Sequence, residues 1–131
     1  MPITHQWDDD AATIYRIELA GEDWTWPQFS AAVRQVYDYL GETGRIVHVI
    51  MWFQGPLPPG DALSNLRAGG MQPSNIRHTV LVNDAGRFLE ALIDSVVRVR
   101  GWDGPKFVKS LDDARDRVAA LIAQDERDGS G

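Results

Sequence analysis

The sequence predicts an α/β fold: a mixed, largely parallel β-sheet flanked by helices and built from βαβ crossovers. Three observations carry this expectation. Segments of period-two and helical hydrophobicity alternate along the chain, which calls for parallel strands joined by right-handed helical crossovers. The stretch from Ile46 to Phe53, IVHVIMWF, is apolar on both faces of a strand, as a central strand covered on both sides must be. The length of 131 residues, 44% hydrophobic, suits one compact core. One domain is therefore expected over residues 1–123. The polar, Gly-rich end of the chain, residues 124–131 (QDERDGSG), is expected to fray into solvent.

Taken in order, Thr13 to Leu19 (TIYRIEL) places Tyr15, Ile17 and Leu19 on one face and Arg16 and Glu18 on the other, the pattern of a half-exposed strand. Ile3 to Trp7 pairs with it across the acidic DDDAA turn. In EDWTWPQF, Thr25 can cap a helix and Gln28 can complete a capping box. Pro27 fits that first turn because its missing N–H would be unpaired there. Phe29, Val33, Val36, Tyr37 and Leu40 form the buried face of the helix, which ends near Gly41 or Gly44. The central strand follows, and then the Pro-rich loop QGPLPPG. Asp61 can cap a short helix through Arg67, stopped by Gly69 and Gly70. His78 to Val82 is the next strand, and Arg87 to Arg100 a helix with Phe88, Leu92, Val96 and Val99 inward, ended by Gly101. Lys106 to Lys109 is a short strand. Ser110 and Asp113 cap the last helix, whose Leu111, Ala114, Val118, Leu121 and Ile122 face the core.

Composition excludes several functions. A formal net charge of -6, with no basic stripe, disfavours nucleic acid and anionic membrane as partners. The absence of cysteine removes disulfides, thiolate metal sites and thiol chemistry. MPITHQWDDD lacks the features of a signal peptide, and the run from Ile46 to Phe53 is far shorter than the roughly 20 residues of a membrane span. A cytoplasmic protein that does not insert into membranes is expected.

In open α/β sheets, ligands gather beyond the carboxyl ends of the parallel strands. The loops Gln54 to Asp61 and Asn83 to Gly86 are placed there. QGPLPPG matches neither GxGxxG nor GxxxxGK[ST], so no nucleotide cradle or other cofactor is expected. Its three prolines make a stiff surface that suits a preformed contact site or a rigid connector. Asp61 at the following helix start fills the position an anion would take. His5, His48 and His78 stand in no metal-ligand spacing, and no metal is expected. His48, inside the apolar run, reads as a satisfied core histidine. No GxSxG elbow surrounds Ser64, Ser74 or Ser95, and the carboxylate pairs at Asp8 to Asp10 and at Asp112 with Asp113 fall in a turn and at a helix start. No enzyme is expected. Of the five tryptophans, Trp24 and Trp26 read as packing anchors. Trp52 and Trp102 fill the core or line a pocket, and Trp52 and Phe53 point to opposite faces just before the loop.

The segments GEDWTWPQFSAAVRQVYDYL, RIVHVIMWFQGPLPPGDALSNLRAG and IRHTVLVNDAGRFLEALIDSVVRV resemble, in this order, the SpoIIAA-like branch of the STAS family, from about Ile14 to Leu121. The resemblance implies a mixed sheet flanked by helices, related also to SEC14-type lipid carriers. STAS anti-sigma-factor antagonists carry a phosphorylatable serine in a DSSG-like motif after the central strand. Here that motif is absent: Asp61 stands near the serine's place, and Ser64 comes about a turn later as a candidate phosphorylation site.

The resemblance therefore implies a regulatory, non-catalytic protein-binding module. Its partner is an unidentified protein or a second copy in a homodimer. Its contact residues would be Trp52, Gln54, Leu57, Pro59, Asp61 and Ser64, with Pro56 and Pro58 helping to hold the loop's shape. The alternative is a carrier or sensor of a small apolar ligand, held between sheet and helices by Trp52, Phe53, Phe88 and Leu92.

Overall fold

The computed structural model describes residues 3–20, 24–54, 73–83 and 106–129 of the chain. Strands β1 (Ile3–Trp7) and β2 (Ile14–Leu19) form an antiparallel hairpin closed by the acidic turn. Asp9 organises that turn. Its carboxylate accepts the backbone N–H groups of Thr13 at 2.9 Å and Ile14 at 3.0 Å, and also the Thr13 hydroxyl. Burial pushes the Asp9 carboxyl up, but these donors outweigh it and hold it below its ordinary range. Ala12 takes a left-handed conformation, with φ 56°, to close the turn.

Helix α1 (Trp26–Thr43) begins at the predicted capping box: Gln28 N–H donates to Thr25 Oγ1 at 3.3 Å, and Thr25 N–H donates to Gln28 Oε1 at 2.9 Å. It ends at Gly44, whose φ of 66° is the left-handed cap that glycine alone adopts without cost. Gly41 instead lies inside the helix, where an added Cβ would stand 3.3 Å from Pro73.

Strand β3 (Val47–Phe53) follows, then β4 (Ile76–Asn83), β5 (Lys106–Val108) and the last described helix, α2 (Leu111–Gly129). The sheet order is β1-β2-β3-β4-β5, with β2 to β5 parallel throughout. The fold is thus α/β, with a mixed sheet containing one antiparallel pair. Pairing alternation divides the sheet into two faces. Val47, Val49, Met51 and Phe53 join Tyr15, Ile17 and Leu19 against α1, whereas Ile50, Val80 and Val82 pack against Ala114 and Val118 of α2.

Four differences from the sequence reading stand out. Ile46 precedes β3 and is 61% exposed, because His48 N–H already bonds to Thr13 and Val47 N–H to Asn75, so pairing starts one residue later. β4 begins two residues before His78, because Asn75 ties its approach to α1: the Asn75 amide donates to the carbonyls of Leu40 at 2.7 Å and Arg45 at 2.8 Å. β5 closes at Val108. The segment after Ala123, expected to fray, continues α2 through Gly129, and Asp125 within it contacts the sheet. The expected helices at Asp61 to Arg67 and Arg87 to Arg100 lie outside the described residues.

Candidate functional site

The site expected at the carboxyl end of β3 has a well-defined scaffold. Gln54 N–H donates to the Leu19 carbonyl at 2.9 Å, so the chain leaves the sheet beside the end of β2. Gln54 itself is exposed. Trp52 lies on the α2 face, half-buried against the smaller apolar cluster, and its indole N–H is buried without a hydrogen-bond partner among the described residues. Such a donor is costly to bury unpaired. Phe53 points to the opposite face and is fully buried, with the rings of Trp24 and Phe29 at 5.9 Å and 6.0 Å. Leu57, Pro59, Asp61 and Ser64 lie outside the described residues, as do Phe88, Leu92 and Trp102.

Beside Trp52 the sheet face turns polar. Glu18 is its register partner on β2, and Thr4 donates to Glu18 at 3.3 Å. Arg16 stands between two acids: its Nε is 3.1 Å from Glu18 Oε1, without the alignment of a hydrogen bond, and it donates from its other end to Asp8. Arg115 of α2 clamps Asp8 from the far side, with Nε to Oδ2 at 3.0 Å and a terminal nitrogen to Oδ1 at 2.9 Å. The Arg115 hydrogen bonds, reinforced by Arg16, hold the Asp8 carboxyl below its ordinary range against the opposing effect of burial. In the sequence Asp8 reads as a turn carboxylate. Its partner lies 107 residues away, beyond the reach of any local pattern.

A second polar cluster lies near the start of β3. Val47 pairs with Ile76 and Val49 with Thr79, so Arg77 and His78 both stand opposite His48, a bulge in a parallel pair. The His48 and His78 rings stack with centroids 5.3 Å apart and planes 11° from parallel. His78 Nε2 bonds to Asp125 of α2 at 2.7 Å, and Arg77 Nε lies 3.3 Å from the same carboxylate oxygen. The bond to His78 holds the Asp125 carboxyl below its ordinary range. His48 is buried, but it is not the satisfied core histidine expected: its Nδ1 has no partner among the described residues. Burial first, and then the charges of His78 and Arg77, push its pKa down.

The third feature is a cleft of about 560 Å³ between β1 and α1, lined by Ile3 and His5 on the strand and by Gln28, Ala31, Ala32, Arg34, Gln35 and Asp38 on the helix. His5 Nδ1 is 2.5 Å from the hydroxyl of buried Tyr15. The helical spacing of Gln28, Ala31, Ala32, Gln35 and Asp38 was the available sign of this second face of α1. Among the described residues there is no group of three or more side chains suited to hold a metal ion, and no helix long and apolar enough to cross a membrane. No family model matches the chain, and no curated protein or solved structure matches it either.

Proposed function

We propose that this chain is a STAS-like, non-catalytic regulatory module, a SpoIIAA-like α/β sandwich that works in the cytoplasm by binding another protein at the carboxyl end of β3. The observation that carries this reading is the surface around Trp52. A large, half-buried aromatic sits beside Glu18, Arg16 and the outgoing Gln54. An apolar anchor ringed by charged and polar groups is the anatomy of a protein contact, in which the ring supplies the apolar contact and the rim sets specificity. The antiparallel hairpin leading into parallel strands accords with the STAS-like order.

In this reading Gln54 begins the contact, Leu57 and Pro59 continue it, and Asp61 supplies a fixed negative charge where relatives of the family carry a phosphoserine. Ser64 is the remaining candidate for modification. The test is affinity purification of the protein from its native host with mass spectrometry of both the chain and its companions, for wild type and Trp52→Ala. The expected result is a stoichiometric protein partner retained by wild type and lost in the variant, with folding of the variant checked by circular dichroism. A solitary, unmodified protein would overturn the reading, and a co-purifying lipid in native mass spectrometry would replace it with the apolar-carrier alternative.

A further inference from the structure

We propose that the outer edge of β1, with the cleft beside it, docks an extended segment of a partner protein. The segment adds to the sheet as a further strand and turns a base, an acid and an apolar side chain, in that order, toward α1. β1 is an edge of the sheet, and among the described residues its backbone hydrogen bonds go to β2 alone. Its outer row of N–H and C=O groups is therefore unpaired. Edge strands are commonly guarded against further pairing by charge, by proline or by a bulge. β1, with the sequence ITHQW, has no lysine, arginine, acid or proline, and its register with β2 is unbroken from Ile3 to Trp7.

A bare edge accepts any strand, and the cleft is what selects one. Ile3, His5 and Trp7 share the α1 face, since their register partners Leu19, Ile17 and Tyr15 lie in the core under that helix. β1 and α1 run in the same direction. Trp7 donates its indole N–H to the Tyr39 hydroxyl at 3.3 Å, near the helix end. Leu19, opposite Ile3, pairs with Phe53, whose ring lies against Phe29 near the helix start. Two residues of strand cover about 6.8 Å and four of helix about 6 Å, so stepping back from Trp7 and Tyr39 brings His5 level with Gln35 and Ile3 level with Ala31. The cleft is thus apolar at Ile3, Ala31 and Ala32, has Arg34 near His5 at its middle, and has Asp38 toward Trp7. Arg34 and Asp38 are exposed and one helical turn apart, yet they pair neither with each other nor with any other described residue.

A strand laid antiparallel along β1, the more stable pairing, faces α1 with every second side chain. Those side chains stand about 6.8 Å apart, close to the axial separation of about 6 Å between Arg34 and Asp38. From its N-terminus such a strand meets Asp38 first, then Arg34 with His5, then the apolar end. Its pattern is base-x-acid-x-apolar, five residues against the five of β1. Main-chain bonds to the edge supply the hold, and the exposed ion pairs set register and choice of partner. His5 is held for this by its Nδ1, 2.5 Å from the Tyr15 hydroxyl, which leaves Nε2 to bond to the acid. A second copy of β1 fits less well, because ITHQW offers neither a carboxylate to Arg34 nor a lysine or arginine to Asp38. The site lies on the α1 face, whereas Trp52 lies on the α2 face two strands away, so this contact is separate from the one proposed there.

The test is NMR titration of the intact, isotope-labelled chain with the acetylated and amidated peptide Thr-Lys-Thr-Glu-Thr-Val-Thr. Amide shifts are expected in β1 and over residues 28–38. Exchanging Lys and Glu in the peptide should weaken binding at least about tenfold, since two attractive pairs become repulsive. N-methylation of one alternate set of peptide amides should abolish binding, and of the other set should leave it, as strand pairing demands. In the double variant Arg34→Glu, Asp38→Lys the preference between the two peptides should reverse. Should that variant not fold, the peptide exchange and the N-methyl series on wild type decide alone. No shift up to millimolar peptide, equal binding of the two peptides, or equal effects of the two N-methyl sets would each overturn the docking site. A dimer of the free chain that forms with rising concentration, with its shifts confined to β1, would overturn it in favour of a second copy.

Discussion

The two faces of the sheet are made by different means. On the α1 face, cohesion is apolar and aromatic: Trp24, Trp26, Phe29 and Phe53 meet at centroid distances from 5.2 to 6.0 Å, and Leu40, Val47 and Val49 are fully buried beside them. On the α2 face, a smaller apolar cluster around Ile50, Val80 and Val118 is bordered by ionic groups, with Asp8 and Arg115 at one end of the helix and His78 and Asp125 further along. An aromatic core responds to temperature and denaturant but is indifferent to pH. An ionic border responds to pH and salt. The fold thus has one face that fixes it and one that can answer to conditions, and the proposed contact at Trp52 belongs to the second.

The sharpest way to break this comparison is to truncate matched positions on each side. Phe29→Ala, on the α1 face, is expected to cost about 3–5 kcal/mol in urea unfolding, and Val118→Ala, on the α2 face, about 1.5–2.5 kcal/mol. The next effect is ionic. Asp8→Ala leaves the largely buried Arg16 guanidinium with Glu18 as its one remaining acid among the described residues and frees the partly exposed Arg115, and is expected to cost about 2 kcal/mol at neutral pH after allowance for solvent around Arg115.

The pH dependence of that loss has a definite sign. The folded pKa of Asp8 lies below its ordinary 3.8, so the unfolded chain takes up the proton first. Its contribution is present above 3.8 and disappears as pH falls through the folded value. Wild type and Asp8→Ala should therefore converge in stability in acid, and a constant gap between their unfolding curves would contradict the network. The smallest effect belongs to the α1 cap: Thr25→Ala is expected to cost about 1 kcal/mol, equally at neutral and acid pH, because no ionised group takes part.

Local chemistry made much of the fold legible. The capping box at Thr25 and Gln28 and the buried face from Phe29 to Leu40 are contained within one helix, so residue spacing alone reveals them. The two-sided burial of β3 is likewise visible in its composition. What escaped is long-range. Asp125 lies in a polar stretch that looks like a frayed tail, yet it bonds to an imidazole 47 residues earlier in the chain. His48 looks like any core histidine until the bulge puts His78 over its ring. Asp8 looks like turn punctuation until α2 delivers Arg115. Of the candidate contact residues, Trp52 and Gln54 took their place at the strand end, where the alternation of β3 and its length had put them.

The hydrogen bonds at the two ends of the 55–72 connection have a consequence for what fixes the strand ends. Before it, Gln54 is fastened to Leu19; after it, Asn75 is fastened to Leu40 and Arg45. Both fastenings are made to main-chain carbonyls. The anchors on either side of that connection are thus supplied by groups that lie outside it, so the entry into β4 and the exit from β3 do not draw on its own side chains for these bonds.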